Sequence, residues 1–194
     1  MDRPDIQFAV KTLASYTARP NVKALSALKH LSPYLDGTPE HGLLLQNTEE
    51  DKCIFDAWRD DELICDEINV PQEKSEAKFN LEAFSDSSWA DCKSIRRSTS
   101  SGLVFRNRLM IFSICRTRAS VALSSCGAEL YAANVLMVEC MYLYQPCKFL
   151  CKDDVEMNND MVQQRLYTDS SSALLCSSSE SRRRKQTVNS LIVL

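Results

Sequence analysis

Three acidic residues stand where their neighbours make them informative. Asp86 closes a strand-like stretch and is followed by Ser87, Ser88 and Trp89; Glu129 opens a long apolar helical run; Asp169 closes another strand-like stretch ahead of Ser170, Ser171 and Ser172. Carboxylates at two strand ends and one helix start can converge on a single point above a sheet. Such a cluster repels itself unless a cation neutralises it. Hard oxygen donors in that number suit Mg²⁺, with Mn²⁺ an alternative, because Mg²⁺ keeps several waters and binds phosphate oxygens. Two such ions activate a water and stabilise the leaving oxygen in phosphodiester cleavage. The same residues also admit a purely structural reading. Asp86 and Asp169 then serve as turn or cap residues, and Glu129 as a helix N-terminal acid favoured by the macrodipole. The three serines after Asp169 read as caps rather than nucleophiles, since no histidine is near enough to act as base.

The elements that must carry these residues follow from periodicity. Phe79 to Ser85 alternates as a strand leading into Asp86. Gly102–Phe105 and Leu109–Ile114 read as the arms of a hairpin around Arg106, Asn107 and Arg108, with Ala119 to Leu123 continuing or following the second arm. A largely buried helix runs from about Ser125 to Tyr144, stopped by Pro146, and a strand from Gln164 to Thr168 leads into Asp169. Consecutive short strands favour antiparallel pairing, and a helix between strands allows a parallel crossover. The expected fold class is therefore α/β, with a mixed sheet of three meander strands plus one parallel strand. Upstream, Ile6, Val10, Leu13 and Thr17 mark one amphipathic helix; Val22, Leu25, Leu28, Leu31 and Leu35 mark a second, N-capped by Asn21 and bent or ended by Pro33. Leu43–Leu45 reads as a short strand.

Length and composition agree with this picture. The chain has 194 residues, 44% hydrophobic and 25% charged, enough for one ordinary domain plus a smaller piece. Four glycines and six prolines exclude collagen-like and low-complexity architectures. No apolar run reaches the roughly 18 residues of a membrane span, and MDRPDIQFAV lacks the layout of a secretory signal, so an intracellular location, cytoplasmic or nuclear, is expected. Nine cysteines then read as reduced thiols; Cys140, Cys147 and Cys151 lack a fourth soft ligand, because His30 and His41 are far upstream, and buried helix thiols fit better than a zinc site. The net charge of −3 is uneven: residues 46–82 hold 12 acidic and 4 basic residues, and the remainder is mildly basic, which is compatible with a polyanionic partner. Three segments are expected: a helical piece over 1–45, an acidic, partly disordered linker over 46–78, and an α/β domain over 79–194.

Four blocks bring a family resemblance. Phe84-Ser85-Asp86-Ser87-Ser88-Trp89-Ala90-Asp91 followed by Arg96-Arg97-Ser98-Thr99-Ser100-Ser101-Gly102 resembles the "SDxDWAG…RRSTSG" pattern of the ribonuclease H module of copia-type retrotransposon polyproteins. Val121 to Ala132 is similar to its "ALSSxEAELYA" signature, and Tyr167 to Ala173 to its "TDSSSA" block. Arg3-Pro4-Asp5-Ile6 and Tyr34-Leu35-Asp36-Gly37-Thr38 resemble the tail of the neighbouring reverse transcriptase. The resemblance implies a ribonuclease H-like fold and Mg²⁺-dependent hydrolysis of the RNA strand of RNA–DNA hybrids. Asp86, Glu129 and Asp169 would be the catalytic metal ligands, Asp86 bridging both ions, with RNA told from DNA by its 2′-hydroxyl. It also implies a polyprotein context, with other retroelement segments as partners. Arg96, Arg97 and Lys185 are phosphate-contact candidates and Trp89 a stacking candidate, each also readable as surface, or as core or rim for Trp89.

The chain departs from the pattern in three places. The family's fourth metal-site acid belongs to a "KHxD" block, where the nearest residue here is Asn189, whose amide ligates without supplying charge. Gly127 replaces the family's glutamate, removing half of a capping box with Ser124. The apolar run Leu191–Leu194 falls where the family's last helix is expected. Residues 1–45 contain no paired-aspartate polymerase motif, so no reverse transcription is expected, and their helices must dock on the α/β domain or leave an apolar patch. A catalytically inactive remnant that binds only nucleic acid or protein is the alternative.

Overall fold

The computed structural model describes residues 3–43, 79–92, 95–150, 162–173 and 190–193. After a 3₁₀ turn at Pro4–Ile6 come helices α1 (Gln7–Ala14) and α2 (Val22–Gly37). Strands β1 (Phe79–Cys92), β2 (Arg97–Arg106) and β3 (Leu109–Thr117) precede the long helix α3 (Ser125–Leu150); β4 (Val162–Thr168) and β5 (Ser190–Val193) follow. The five strands form one mixed sheet in the order β3-β2-β1-β4-β5. β1, β2 and β3 are an antiparallel meander, while β1–β4 and β4–β5 are parallel. This is the expected mixed sheet of a three-strand antiparallel meander plus a parallel strand, with β5 as a further parallel strand. The acidic segment expected over 46–78 lies outside the described residues.

One face of the sheet packs on α3, and strand alternation decides which side chains do so. Leu81 and Ala83 of β1, Val104 of β2 and Leu166 of β4 point to the same side. They meet Ala133, Leu136, Cys140 and Cys147 of α3, making the buried core. Gly102 permits that approach: a Cβ there would lie 2.7 Å from a methyl of Leu136. Burial, reinforced by the charge of Glu139, pushes the Cys140 thiol up to about 12, so this residue fills the core as a small apolar group.

The opposite face carries Glu82, Phe84, Arg165 and Tyr167. The Tyr167 ring stacks on Phe84 at 4.7 Å and 11°, its hydroxyl donates to Glu82 Oε1 over 2.9 Å, and Glu82 is fully buried. Helix α1 lies along β3, joined by Gln7, whose amide donates to Ser113, and by Lys11, which donates to Thr99 Oγ1 over 2.6 Å. Neither α1 nor α2 contains a buried residue, and Val22, Leu25 and Leu28 stay exposed on α2. Of the two alternatives for these helices, α1 shows the first, lying along β3, and α2 the second, with its apolar residues exposed. Asn21 caps α2 as expected, its side chain accepting from Ala24 N–H over 2.8 Å.

Several boundaries differ from the sequence reading. α1 ends at Ala14 rather than reaching Thr17, since successive turns with 3₁₀-type bonds follow it. α2 passes through Pro33, and α3 through Pro146 to Leu150; each proline forfeits one intrahelical hydrogen bond without stopping its helix. Residues 118–124 form a loop rather than an extension of β3, and Leu43 is not in a strand. β1 continues seven positions beyond Asp86's neighbour Ser85 because Ser87 and Ser88 keep pairing with Ser100 and Thr99, up to an irregularity before Cys92. The run Ser190–Val193 is a strand pairing with β4, not a helix; parallel pairing on β4 supplies the backbone partners that a four-residue apolar segment needs. Among the described residues, no helix is long and apolar enough to cross a membrane.

Candidate metal centre

The site sits where β1 and β4 stop pairing. Their last matched positions are Ser85 and Thr168, so Asp86, still within β1, and Asp169, just past the end of β4, are the next residues along. Two positions earlier on each strand, the stacked rings of Phe84 and Tyr167 fix the spacing beneath them. Alternation places both carboxylates on that same side of the sheet.

Glu129 arrives from α3 on the other side. Ser124 caps the helix: its hydroxyl accepts from the Gly127 amide over 3.0 Å, and its carbonyl accepts from the Ala128 amide over 3.1 Å. The forward half of a capping box is therefore present although Gly127 offers no side chain for the return bond. The first turn of α3 contains no acidic residue, because Glu129 falls just beyond it, which weakens the macrodipole explanation for a glutamate there.

The three carboxylates meet. Asp86, Glu129 and Asp169 each offer an oxygen, and these oxygens all lie within 4.8 Å of one another. Asp86 and Asp169 are exposed, whereas Glu129 is only 8% exposed. Its Oε1 accepts the Ser87 backbone N–H over 3.2 Å, and its Oε2 is buried without a hydrogen-bond partner. Burial, then the charges of Asp86 and Asp169, push the Glu129 carboxyl up to about 7; the Ser87 N–H opposes that rise. A buried carboxylate oxygen without a donor, facing two further carboxylates, is a donor set that a hard divalent cation fits. A cavity of about 440 Å³ opens beside it, with Asp86 and Asp169 in its wall together with Phe84 and Tyr167 from the sheet and Pro4 and Phe8 from the N-terminal segment.

The remaining sequence candidates are placed less centrally. Trp89 is 44% exposed and its indole N–H donates to the Ala122 carbonyl over 3.0 Å, so its polar edge ties β1 to the loop before α3. Arg96, in the β1–β2 turn with a positive φ, and Arg97, the first residue of β2, are both exposed. Lys185 and Asn189 lie outside the described residues. One participant escaped the sequence reading: the Ser87 amide is a backbone group that no side-chain pattern reveals.

No family model matches the chain. It is 27% identical over 139 residues to an uncharacterized mitochondrial protein of Arabidopsis thaliana, covering 72% of this chain and 46% of that protein. It is 29% identical over 127 residues to the retrovirus-related Pol polyprotein from transposon RE1 of the same plant, covering 66% of this chain and 7% of the polyprotein. The chain thus spans less than half the length of either relative. Among solved structures, the catalytic domain of human endonuclease V aligns with 77% of this chain and 48% of its own at 15% identity, with a TM-score of 0.25, too slight a likeness to bear on function. Sequence similarity is the firmer result: the chain is similar to a short part of a retrotransposon Pol polyprotein.

Proposed function

We propose that this chain is a ribonuclease H-like module that hydrolyses the RNA strand of RNA–DNA hybrids with Mg²⁺, in which Asp86, Glu129 and Asp169 are the catalytic metal ligands. The observation that carries the reading is the convergence of three carboxylates, from the point where β1 and β4 stop pairing and from one helix, within 4.8 Å around a buried, unpartnered oxygen. Kinship with a retrotransposon Pol polyprotein supports a nucleic-acid substrate. In the same reading, residues 1–45 are the reverse-transcriptase tail, 46–78 a linker and 79–194 the nuclease domain.

Bound Mg²⁺ would supply the charge that acidifies a water and stabilises the leaving 3′ oxygen. The protein's own contribution is positional. Asp86 and Asp169 present oxygens from the open side, the Ser87 N–H fixes one Glu129 oxygen, and that bond leaves Oε2 available as a ligand. Asn189 would add a neutral fourth ligand. Arg96, Arg97 and Lys185 would contact phosphates, with Trp89 at the rim.

The test is cleavage of a labelled RNA–DNA hybrid in Mg²⁺. The chain should cut the RNA strand, and Asp86→Asn should abolish cutting. A D86N variant that cuts as fast as the parent would sink the assignment. Salt-sensitive hybrid binding by the parent without cleavage would leave the non-catalytic remnant.

A further inference from the structure

Arg118 is a cation that the proposed chemistry does not use, in a setting that demands an explanation. It is 8% exposed, yet its Nε and Nη1 are buried with no hydrogen-bond partner. Its Nη2 reaches only Ser120 Oγ, at 3.4 Å. Among the described residues no carboxylate pairs with it, and a buried guanidinium so placed is unfavourable unless something else offsets the lost hydration. Here the offset is aromatic: the Arg118 guanidinium carbon lies 3.7 Å from the centroid of the Tyr131 ring.

The location gives that contact a purpose. Tyr131 is two residues beyond Glu129 on α3, and Arg118 is the first residue after β3. Arg118 is anchored to the sheet, since its N–H donates to the Ser98 carbonyl over 2.9 Å. The loop between Arg118 and α3 is held again at Ala122 by the Trp89 indole. The helix start itself is weakened by Gly127, the residue type with the greatest backbone freedom. A side chain rooted in the sheet and resting on α3 therefore braces an otherwise loose helix start.

We propose that Arg118 is a positioning residue: resting over the Tyr131 ring, it fixes the start of α3 so that Glu129 is held against the Ser87 amide. Its bearing on metal binding rests on the reading of the three carboxylates given above; its bearing on the placement of Glu129 does not. A lysine cannot take over the role, because its ammonium is a compact, strongly hydrated point charge while the guanidinium is planar and weakly hydrated.

The Ser87 amide reports the placement directly, without metal or turnover. Its hydrogen exchange, followed by NMR in the full chain with a chelator present, should accelerate about tenfold in Arg118→Ala and Tyr131→Leu, while the Leu81 and Val104 amides stay within about twofold. Tyr131→Phe should match the parent, and Arg118→Lys should behave like Arg118→Ala. An unchanged Ser87 amide in R118A, rescue by R118K, or uniform acceleration of all three amides overturns the proposal. A parallel Mn²⁺ titration of the parent separates the two ideas: absence of binding refutes the metal centre, whereas the exchange result still decides the brace.

Discussion

The Ser87 amide satisfies one oxygen of Glu129 and leaves the other, Oε2, buried and bare. A protein that protects half of a carboxylate in this way has stored a preference for the protonated acid, which a cation can reverse. The pH behaviour follows. The Glu129 carboxyl is raised from 4.5 to about 7 by burial and by Asp86 and Asp169. The folded state therefore holds a proton that the unfolded state releases, so this group is neutral to stability below 4.5 and destabilising once pH exceeds about 7. In the presence of a chelator, the unfolding free energy should fall between those limits. The slope attributable to this residue should vanish in Glu129→Gln, as denaturant titrations at stepped pH will show.

Divalent cations should act in the opposite sense. Mg²⁺ or Mn²⁺ at about a hundredfold excess over its Kd should stabilise the fold by ~2.7 kcal/mol, since it binds the native carboxylates and not the dispersed ones. The binding should weaken below pH 7, where the proton competes for Glu129. Thermal melts with and without the ion, in the parent and in Asp169→Asn, measure both effects; an equal shift in the two proteins would place the ion elsewhere.

Gly102→Ala should be costly although it adds one methyl group. The new Cβ would sit 2.7 and 2.9 Å from the two methyls of Leu136, which is almost fully buried. Overpacking of this kind costs about 1–3 kcal/mol. A drop in midpoint at unchanged denaturant slope is expected, with partial recovery in the double variant Gly102→Ala/Leu136→Ala.

Gly127→Ala should stabilise. A Cβ there meets only the Ser124 hydroxyl, at 3.3 Å, and a serine oxygen can shift by a few tenths of an ångström. Replacing glycine inside a helix is worth about 0.8–1.0 kcal/mol. Calorimetry should show a higher melting temperature; a lower one would mean that the Ser124 cap is lost.

Tyr167→Phe removes the hydroxyl that donates to the fully buried Glu82. The ring stack on Phe84 survives, so the loss should be about 0.5–1.5 kcal/mol, the net worth of a single hydrogen bond. Chemical denaturation gives the number directly.

The meander, the long helix and the three carboxylates were legible because each leaves a periodic or positional trace. Leu81 and Ala83 alternate, Val104 repeats the pattern on β2, and the acids end recognisable runs. What stayed hidden was held by backbone bonds or by tertiary context. β1 continues through serines with no apolar rhythm because Ser87 and Ser88 pair across to β2. Pro146 failed as a stop signal because Cys147, just beyond it, is buried in the core, so packing outweighs one lost bond. Ser190–Val193 carries too few letters to distinguish strand from helix; the neighbouring β4 decides. The Glu129–Ser87 bond and the Arg118–Tyr131 contact exist only once the fold is complete.

Parallel pairing of β1 with β4 has one last consequence, for the order of events when the chain assembles. Ser85 and Tyr167 touch across 82 positions of sequence, so that closure demands a large loss of chain entropy before any reward arrives. The meander can zip up alone, but Asp169 joins Asp86 only after β4 has docked on β1. A half-finished polypeptide emerging from synthesis would thus be a partial sheet without the three-carboxylate cluster, which would form late and all at once.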